Sequence, residues 1–488
     1  MKKRNKRTLA VCAVLFLVAG MVSAGETPEV VTMSLDDCVE YSLANSFEVR
    51  LARLDLYIAE TELLYSQAVW DTYLYGSAMY NEDKRQQLSV FAPDDNQTNM
   101  YLIGARKKLP TGTTVSAEWS DTRTWSNSGF VTKRPAHNAE LRMQVEQPLM
   151  KNAFGMVDRG EYSITKLAVK NADLEMKDRM EQRIADTAIA YIEVLSAEEL
   201  LRNTEAILDM AEDLYAQEEK NYELGLRELG DLYATEANVA NRKAEVLAAR
   251  NRYDGAVDQL KLVMNAGRDV EIKPSDVLKT VRLRKELPEY LEQAFEYRRD
   301  HRIRMRQVKM RDLDLRIKKN QLWPEVDLTL SMAMNGLEKD FERAAGKSFV
   351  NDNTEYIAGI EFELPIENSL SRGRYDRAKQ EDEKALVLLK QNERRIITEV
   401  TVAYNDVVSF GESMRYTAKA VELNRRKLEE ERKRFKYGRS TTKRMIDYQS
   451  DLLRAQIQDI RYTADHRKAK VRLFRAVNMI LDNYREVL

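Results

Sequence analysis

Cysteine, histidine, proline and glycine are all scarce in this chain, and each scarcity excludes something. Two cysteines, Cys12 and Cys38, and three histidines, His137, His301 and His466, among 488 residues make neither a disulfide framework nor a metal-ligand spacing. No phosphate-loop, nucleophile-elbow or zinc motif occurs, so the chain is read as a non-enzyme that binds no cofactor or metal. Acidic side chains number 79 against 78 basic ones, a balance that lacks the basic footprint of a nucleic-acid binder. The nine prolines stand at 28, 93, 110, 135, 148, 274, 288, 324 and 365, leaving 149–273 and 366–488 without any. Proline breaks helix interiors, so those two tracts are free to form very long helices.

Long hydrophobic runs are missing as well. The apolar stretch Leu9 to Met21 follows the basic residues Lys2, Lys3, Arg4, Lys6 and Arg7 and precedes the small-residue site Val22-Ser23-Ala24. Together they read as a secretory signal peptide covering 1–24, with no cysteine after it to carry a lipid. Its removal takes five basic and no acidic side chains and moves the net charge from −1 to −6. Cys12 leaves with it, and Cys38, then alone, is expected to be a small buried side chain. No later run approaches the ~20 apolar residues of a helical span. Entry into a bilayer would therefore require strands closed into a barrel.

What the chain has is a repeat. Shifted by 213, residues 159–265 lie on 372–478 without a gap. Arg159-Gly160-x-Tyr162 meets Arg372-Gly373-x-Tyr375, Ala190-Tyr191-x-x-Val194 meets Ala403-Tyr404-x-x-Val407, and Asn265 meets Asn478. A second match places Leu35 to Asn81 on Leu287 to Asn335 at a shift of 253, with Trp70 facing Trp323. The chain divides into the signal peptide 1–24, a first repeat 25–265, a connector 266–285 and a second repeat 286–488. Each repeat is helix, strand region, long helix, turn, helix. Arg159-Gly160 and Arg372-Gly373 read as strand-to-helix corners.

Heptads mark the long helices. Val194, Leu201, Leu208, Tyr215 and Tyr222 recur every seven residues, as do Val407, Met414, Val421, Leu428 and Phe435, the condition for a coiled coil. At 1.5 Å per residue, roughly 60 helical residues reach ~90 Å. Tyr222-Glu-Leu-Gly225 and Phe435-Lys-Tyr-Gly438 end them, since glycine adopts the left-handed cap at low cost. Tyr222 and Phe435 themselves read first as heptad core.

Two-residue alternation marks the strands. Val326, Leu328, Leu330, Met332 and Met334 alternate with polar or small residues after Pro324, and Tyr356 to Leu364 does so before Pro365. Thr72 to Tyr80, and Leu141, Met143 and Val145 before Pro148, match them in the first half. Between these lies an additional hairpin, from about Asn99 through Leu109-Pro110-Thr111-Gly112 into Thr113 to Trp119. Such segments suit barrel strands, and a half-buried soluble sheet would alternate alike. Trp70, Trp119 and Trp323 are placed for interfacial aromatic belts. The fold class is α+β with long helices predominant.

Residues 34–54, Ser34-Leu-Asp-Asp-Cys-Val-Glu-Tyr-Ser-Leu-Ala-Asn onward, resemble the opening helix of TolC-like outer-membrane efflux proteins. So do Glu146-Gln-Pro-Leu, the Tyr-x-x-Gly-Leu tip, and Tyr437-Gly-Arg-Ser-Thr-Thr followed by Met445-Ile-Asp447-Tyr-Gln449. The resemblance spans essentially the mature chain. It implies a homotrimer whose outer-membrane β-barrel is continued across the periplasm by an α-helical barrel. A periplasmic adaptor and an inner-membrane transporter would dock at its gated tip, and outer-membrane lipid would surround the barrel. The function implied is a passive exit duct of a tripartite efflux pump or type I secretion system. Family members contribute four strands each; the additional hairpin here either widens the barrel or extends outward.

The resemblance also implies carboxylates after the tip glycines. Asp231 and Asp447 match such positions, whereas Arg444 stands where an aspartate is common. Arg444 or Arg439 would then pair with Asp231. Each of these charges is otherwise an ordinary member of a solvated helix face. The rival reading from another class is a periplasmic coiled-coil scaffold without a channel.

Overall fold

In the computed structural model the described residues are 30–86, 93, 95–128, 131–267, 270–278 and 285–481. The signal peptide at 1–24, parts of the polar loops either side of the extra hairpin, and part of the 266–285 connector lie outside them. Two compact units divide the chain, Met1–Arg50 with Met180–Glu292 and Val400–Leu488, and Leu51–Arg179 with Gln293–Glu399.

The first unit begins with strand β1 (Val30–Met33) and helix α1 (Leu35–Asn45). Ser34 and Asp37 start the helix with a reciprocal capping box: the Asp37 N–H donates to Ser34 Oγ, and the Ser34 N–H to the Asp37 carboxylate. The long helices follow the proline-free tracts. They are α3 (Met156–Glu223) and α8 (Ser369–Lys436), each of 68 residues. Their partners α4 (Leu229–Met264) and α9 (Thr442–Val477) have 36 residues each. Helices α2 (Phe47–Gln67), α5 (Leu287–Tyr297) and α6 (Arg299–Asn320) complete the long elements. The repeated Asn265 and Asn478 end α4 and α9 in the left-handed conformation, φ +57° and +60°, which asparagine tolerates better than most residues.

A feature not foreseen from the sequence is that β1 pairs in parallel with β6 (Glu271–Pro274). Tyr191 braces this pair: its hydroxyl lies 3.1 Å from the Met33 carbonyl and 3.0 Å from Asp276, which also accepts from the Leu35 N–H. Cys38 is fully buried beside them, and burial pushes its thiol up to about 12.

The heptad seam runs otherwise than the large residues suggest. On α3 Val194 is buried as the heptad predicts, but from Ala197 onward the buried positions are Ala197, Thr204, Ala211 and Glu218, with Ile207 and Leu214, whereas Leu201, Leu208 and Tyr215 are only half-buried. From Ala197 onward the inward stripe is therefore made largely of small or polar residues. On α8, Val407, Leu428 and Phe435 do face inward.

The second unit holds a six-stranded antiparallel sheet. Its strands are β2 (Thr72–Asp83), β3 (Asn96–Lys108), β4 (Thr114–Ser126), β5 (Ala136–Pro148), β7 (Glu325–Glu338) and β8 (Thr354–Glu363), in the order β2-β3-β4-β5-β7-β8. The extra hairpin is thus β3–β4 and sits inside the sheet. Its turn is wedged against the corner before α3. Gly155 has φ +68°, and a Cβ there would collide with the Pro110 carbonyl. Lys108 pairs with Asp158 at 2.7 Å, and Thr113 bonds Gln147 at 2.5 Å. At Gly160 a Cβ would lie 2.8 Å from Ile317, so this corner glycine serves close helix packing.

A short helix α7 (Phe341–Lys347) between β7 and β8 was also not anticipated. It covers Trp119, whose indole N–H donates to Ser348 Oγ at 3.2 Å and whose ring meets Phe341 edge-on. Trp119 is thus half-buried, with one side covered by α7. Trp323 is exposed, and Trp70 stacks edge-on against Tyr162. Among the described residues no helix is long and apolar enough to cross a membrane.

Two tests follow from this packing. Gly155→Ala adds a clash to a left-handed conformation that alone costs a non-glycine residue about 1–3 kcal/mol; the heat-stable folded band on a semi-native gel should shift to lower temperature. Cys38 should resist maleimide at pH 8 in the folded protein and react only after denaturation, because its buried thiol stays protonated.

Candidate functional site

The ends of the long helices are built by the same capping device twice. The Leu226 N–H donates to the Asn221 carbonyl at 2.8 Å and the Gly225 N–H to Tyr222 at 2.8 Å. The Arg439 N–H donates to Arg434 at 2.9 Å and the Gly438 N–H to Phe435 at 3.0 Å. These are Schellman pairs, with Gly225 and Gly438 at φ +70° and +68°. Nothing lies within 4 Å of a Cβ at either glycine, so backbone conformation alone requires them.

Inside the two tips sit two buried carboxylates, Glu218 and Glu431, which coincide under the 213 shift. Glu218 accepts from the Thr442 hydroxyl at 3.1 Å and from Asn221 at 3.3 Å, and meets the Arg227 guanidinium at 3.5 Å. Glu431 accepts from the Ser440 hydroxyl at 2.5 Å and faces Arg444 at 3.5 Å. A buried carboxylate needs such partners to offset its lost hydration. Each therefore ties a helix to the turn or helix that follows, and Glu218 also crosses to the other hairpin. Neither was singled out from the sequence; a glutamate repeated on the seam, four residues before Tyr222 and Phe435, is the signal that was available.

Phe435 is buried with Ile207, Leu214, Leu428, Met445 and Leu452, and Arg227 lies over its ring at 5.2 Å. Tyr222, its repeat mate, is 39% exposed and shares the surface with Leu224, Leu226, Leu229 and Tyr233. Asp447 and Arg439 are exposed and Asp231 is half-buried. The expected pairing of Asp231 with Arg444 or Arg439 is not formed within the protomer. Arg444 turns to Glu431, a carboxylate already withdrawn from water and so the stronger attractor. Behind the tips, Lys427 pairs with Asp451 at 2.7 Å and holds its carboxyl below the usual range. Arg242 reaches Ser450 at 2.5 Å.

The sheet of the second unit sorts its side chains by chemistry. Cross-strand partners put Leu74, Ile103, Trp119, Leu141, Met143, Leu330, Met332 and Ile360 on one face. Glu118, Glu140, Glu146, Asp327, Glu355 and Glu361 lie on the other, where Arg142 pairs with Glu140 at 2.8 Å. Tyr75 leans across Gly104 on this polar face to reach Glu118 at 3.2 Å.

The tip network sets measurable couplings. Glu218→Ala strips Thr442 and Arg227 of their acceptor and should loosen the tip by about 2–3 kcal/mol, seen as faster tryptic cleavage at Arg227. A double-mutant cycle should give Arg444 and Glu431 a coupling of about 0.5–1 kcal/mol, small because the arginine is half-exposed, and Arg444 and Asp231 none.

Known proteins agree with this architecture. The sequence matches the outer membrane efflux protein family over residues 112–266 and 299–479, two stretches that follow the tandem repeat. Among solved structures, the chain is similar to the outer-membrane channel CmeC of Campylobacter jejuni, with a TM-score of 0.67 and 13% identity over 94% of this chain and 91% of that one. It is similar to the outer membrane protein VceC of Vibrio cholerae, with a TM-score of 0.66 and 16% identity over 91% and 95%. It is also similar to CusC, with a TM-score of 0.68 and 14% identity over 94% and 95%. A comparison with curated proteins finds no match. At these identities the structures speak for the fold, and the matched sequence speaks for the family: the chain belongs to the outer membrane efflux proteins.

Proposed function

We propose that three copies of this chain form a passive duct through the outer membrane and into the periplasm, exporting cargo handed over by a periplasmic adaptor and an inner-membrane transporter. The observation that carries this reading is the sheet with one mainly apolar face, interrupted toward its ends by Lys107, Asp121, Arg123 and His137, and one face rich in carboxylates, the division that lipid outside and water inside demand. The acidic face would line the lumen and favour cations. No bond is made or broken; the chain supplies a path and an electrostatic bias.

The tips are the proposed periplasmic entrance. Asp231 and Asp447, brought near their copies by three-fold symmetry, would form carboxylate rings there. The exposed Tyr222, Leu224, Leu226 and Tyr233 of one hairpin offer an apolar surface for the adaptor. Glu218 and Glu431 hold each tip rigid enough for a gate to have defined closed and open positions. Nothing in the fold or the family favours the coiled-coil scaffold.

Conductance in a planar bilayer tests the reading. The wild type should insert and conduct with cation preference, and Asp447→Ala should weaken that preference. Insertion with selectivity unchanged by Asp447→Ala would reject the ring while leaving the duct; a soluble particle that never inserts would reject the duct.

A further inference from the structure

We infer that the barrel closes with eighteen strands rather than twelve, because the two open edges of the six-stranded sheet, β2 and β8, each take a second copy of this chain. The inference rests on the trimeric duct proposed above, but its evidence lies in the sheet itself.

All six strands are consecutive neighbours in one sheet, and the alternation of faces runs through β3 and β4 without a break. The β3–β4 turn is fixed at its base by the Gly155 contact, by Lys108–Asp158 and by Thr113–Gln147. A hairpin held at its base and fully paired on both sides is part of the wall.

The register gives the slope of that wall. One row of directly facing residues runs Thr72, Lys107, Val115, Val145, Leu330, Ala358. It starts on the first residue of β2 and ends five positions before Glu363, the last of β8. A climb of one residue per strand, at about 3.3 Å per residue and 4.8 Å per strand, is a tilt of about 35°. Closed barrels need about 35–45°. One more step of the same slope sets Thr72 of the next copy beside position 364. Leu74 then faces Phe362, Gly76 faces Ile360 and Tyr80 faces Tyr356, all on the apolar face. Those side chains are unusually open in the single chain, Leu74 at 76%, Tyr356 at 70% and Phe362 at 63% exposed. Long apolar edge strands left open would aggregate, and pairing removes the hazard. The edges belong to opposite ends of one sheet, so the contact is head-to-tail and closes into a ring.

At this tilt eighteen strands enclose about 35 Å between backbones against about 23 Å for twelve, roughly doubling the cross-section of the outer mouth.

Electron cryomicroscopy of the full-length protein in detergent counts the strands directly. A single ring of eighteen, about 35 Å across, is expected; a trimeric ring of twelve with β3–β4 outside it would overturn this inference and leave the duct intact. Particles that neither trimerise nor insert would overturn the duct as well. Cysteine pairs give an independent reading, with Cys38 silent by burial. Leu74→Cys with Phe362→Cys should yield disulfide-linked trimers, and Leu74→Cys with Ala105→Cys an intrachain bond. Trimer linkage together with loss of the intrachain bond would mean that β2 has abandoned β3, and the eighteen-stranded ring with it.

Discussion

A bilayer interior offers no partner to a backbone N–H or C=O, and this constraint governs how the chain is organised. Among the described residues no helix is long and apolar enough to cross a membrane, and in the proposed duct strands would cross instead, all of them paired. The sheet provides that pairing internally at five strand–strand junctions and leaves two edges open. The alternation of side chains follows from the pleat, which sends successive residues to opposite faces. A strand of the sheet needs polar residues on one face as much as apolar ones on the other. That is why a chain with a mean hydropathy of −0.55 can still carry a membrane-facing surface.

The helices solve a different problem. The lower seam of α3 is built from small and polar residues, Ala197, Thr204 and Ala211, and its polar members, Thr204 and Glu218, need partners of their own. The larger Leu201, Leu208 and Tyr215 are left half-open on the flank. A coiled coil with all its bulk on one seam would satisfy itself as a pair. This arrangement retains apolar surface for further helices, as a ring of many helices requires.

Much of this was legible in the sequence, for identifiable reasons. The absence of proline allowed the long helices, Gly225 and Gly438 marked their ends, and period-2 runs marked the strands, because each signal is local. Heptad spacing places Val194 of α3 inward but does not show that Ala197, Thr204 and Ala211 form the buried stripe beyond it, since spacing fixes a period but not which stripe lies inward. Glu218 and Glu431 went unnoticed among 79 acidic residues, because only tertiary packing distinguishes a buried carboxylate from a solvated one. The pairing of Arg444 was likewise invisible: position after the tip glycine says nothing of which carboxylate has lost its water. Helix α7 and the β1–β6 pair are short, and they are held by Trp119 and Tyr191, residues distant in sequence.

The repeat is kept where the two halves must act alike and broken where they need not. Glycine caps, asparagine ends and buried glutamates recur at one shift of 213, so the two hairpins present equivalent helices to a ring. Their partners differ: Arg227 comes from the turn of the first hairpin, Arg444 from the first turn of α9. Each tip is therefore locked by the same kind of contact through a different arginine, and the Thr442–Glu218 hydrogen bond joins the two. The strands keep a different shift, 253 between β2 and β7, and only the first half carries β3 and β4. A sheet accepts an added hairpin at the cost of circumference alone, since each new strand satisfies its neighbours as the old ones did. A helix ring does not, because seven-residue seams fix which helices touch. The extra residues of the first half thus fall where the architecture is free to grow.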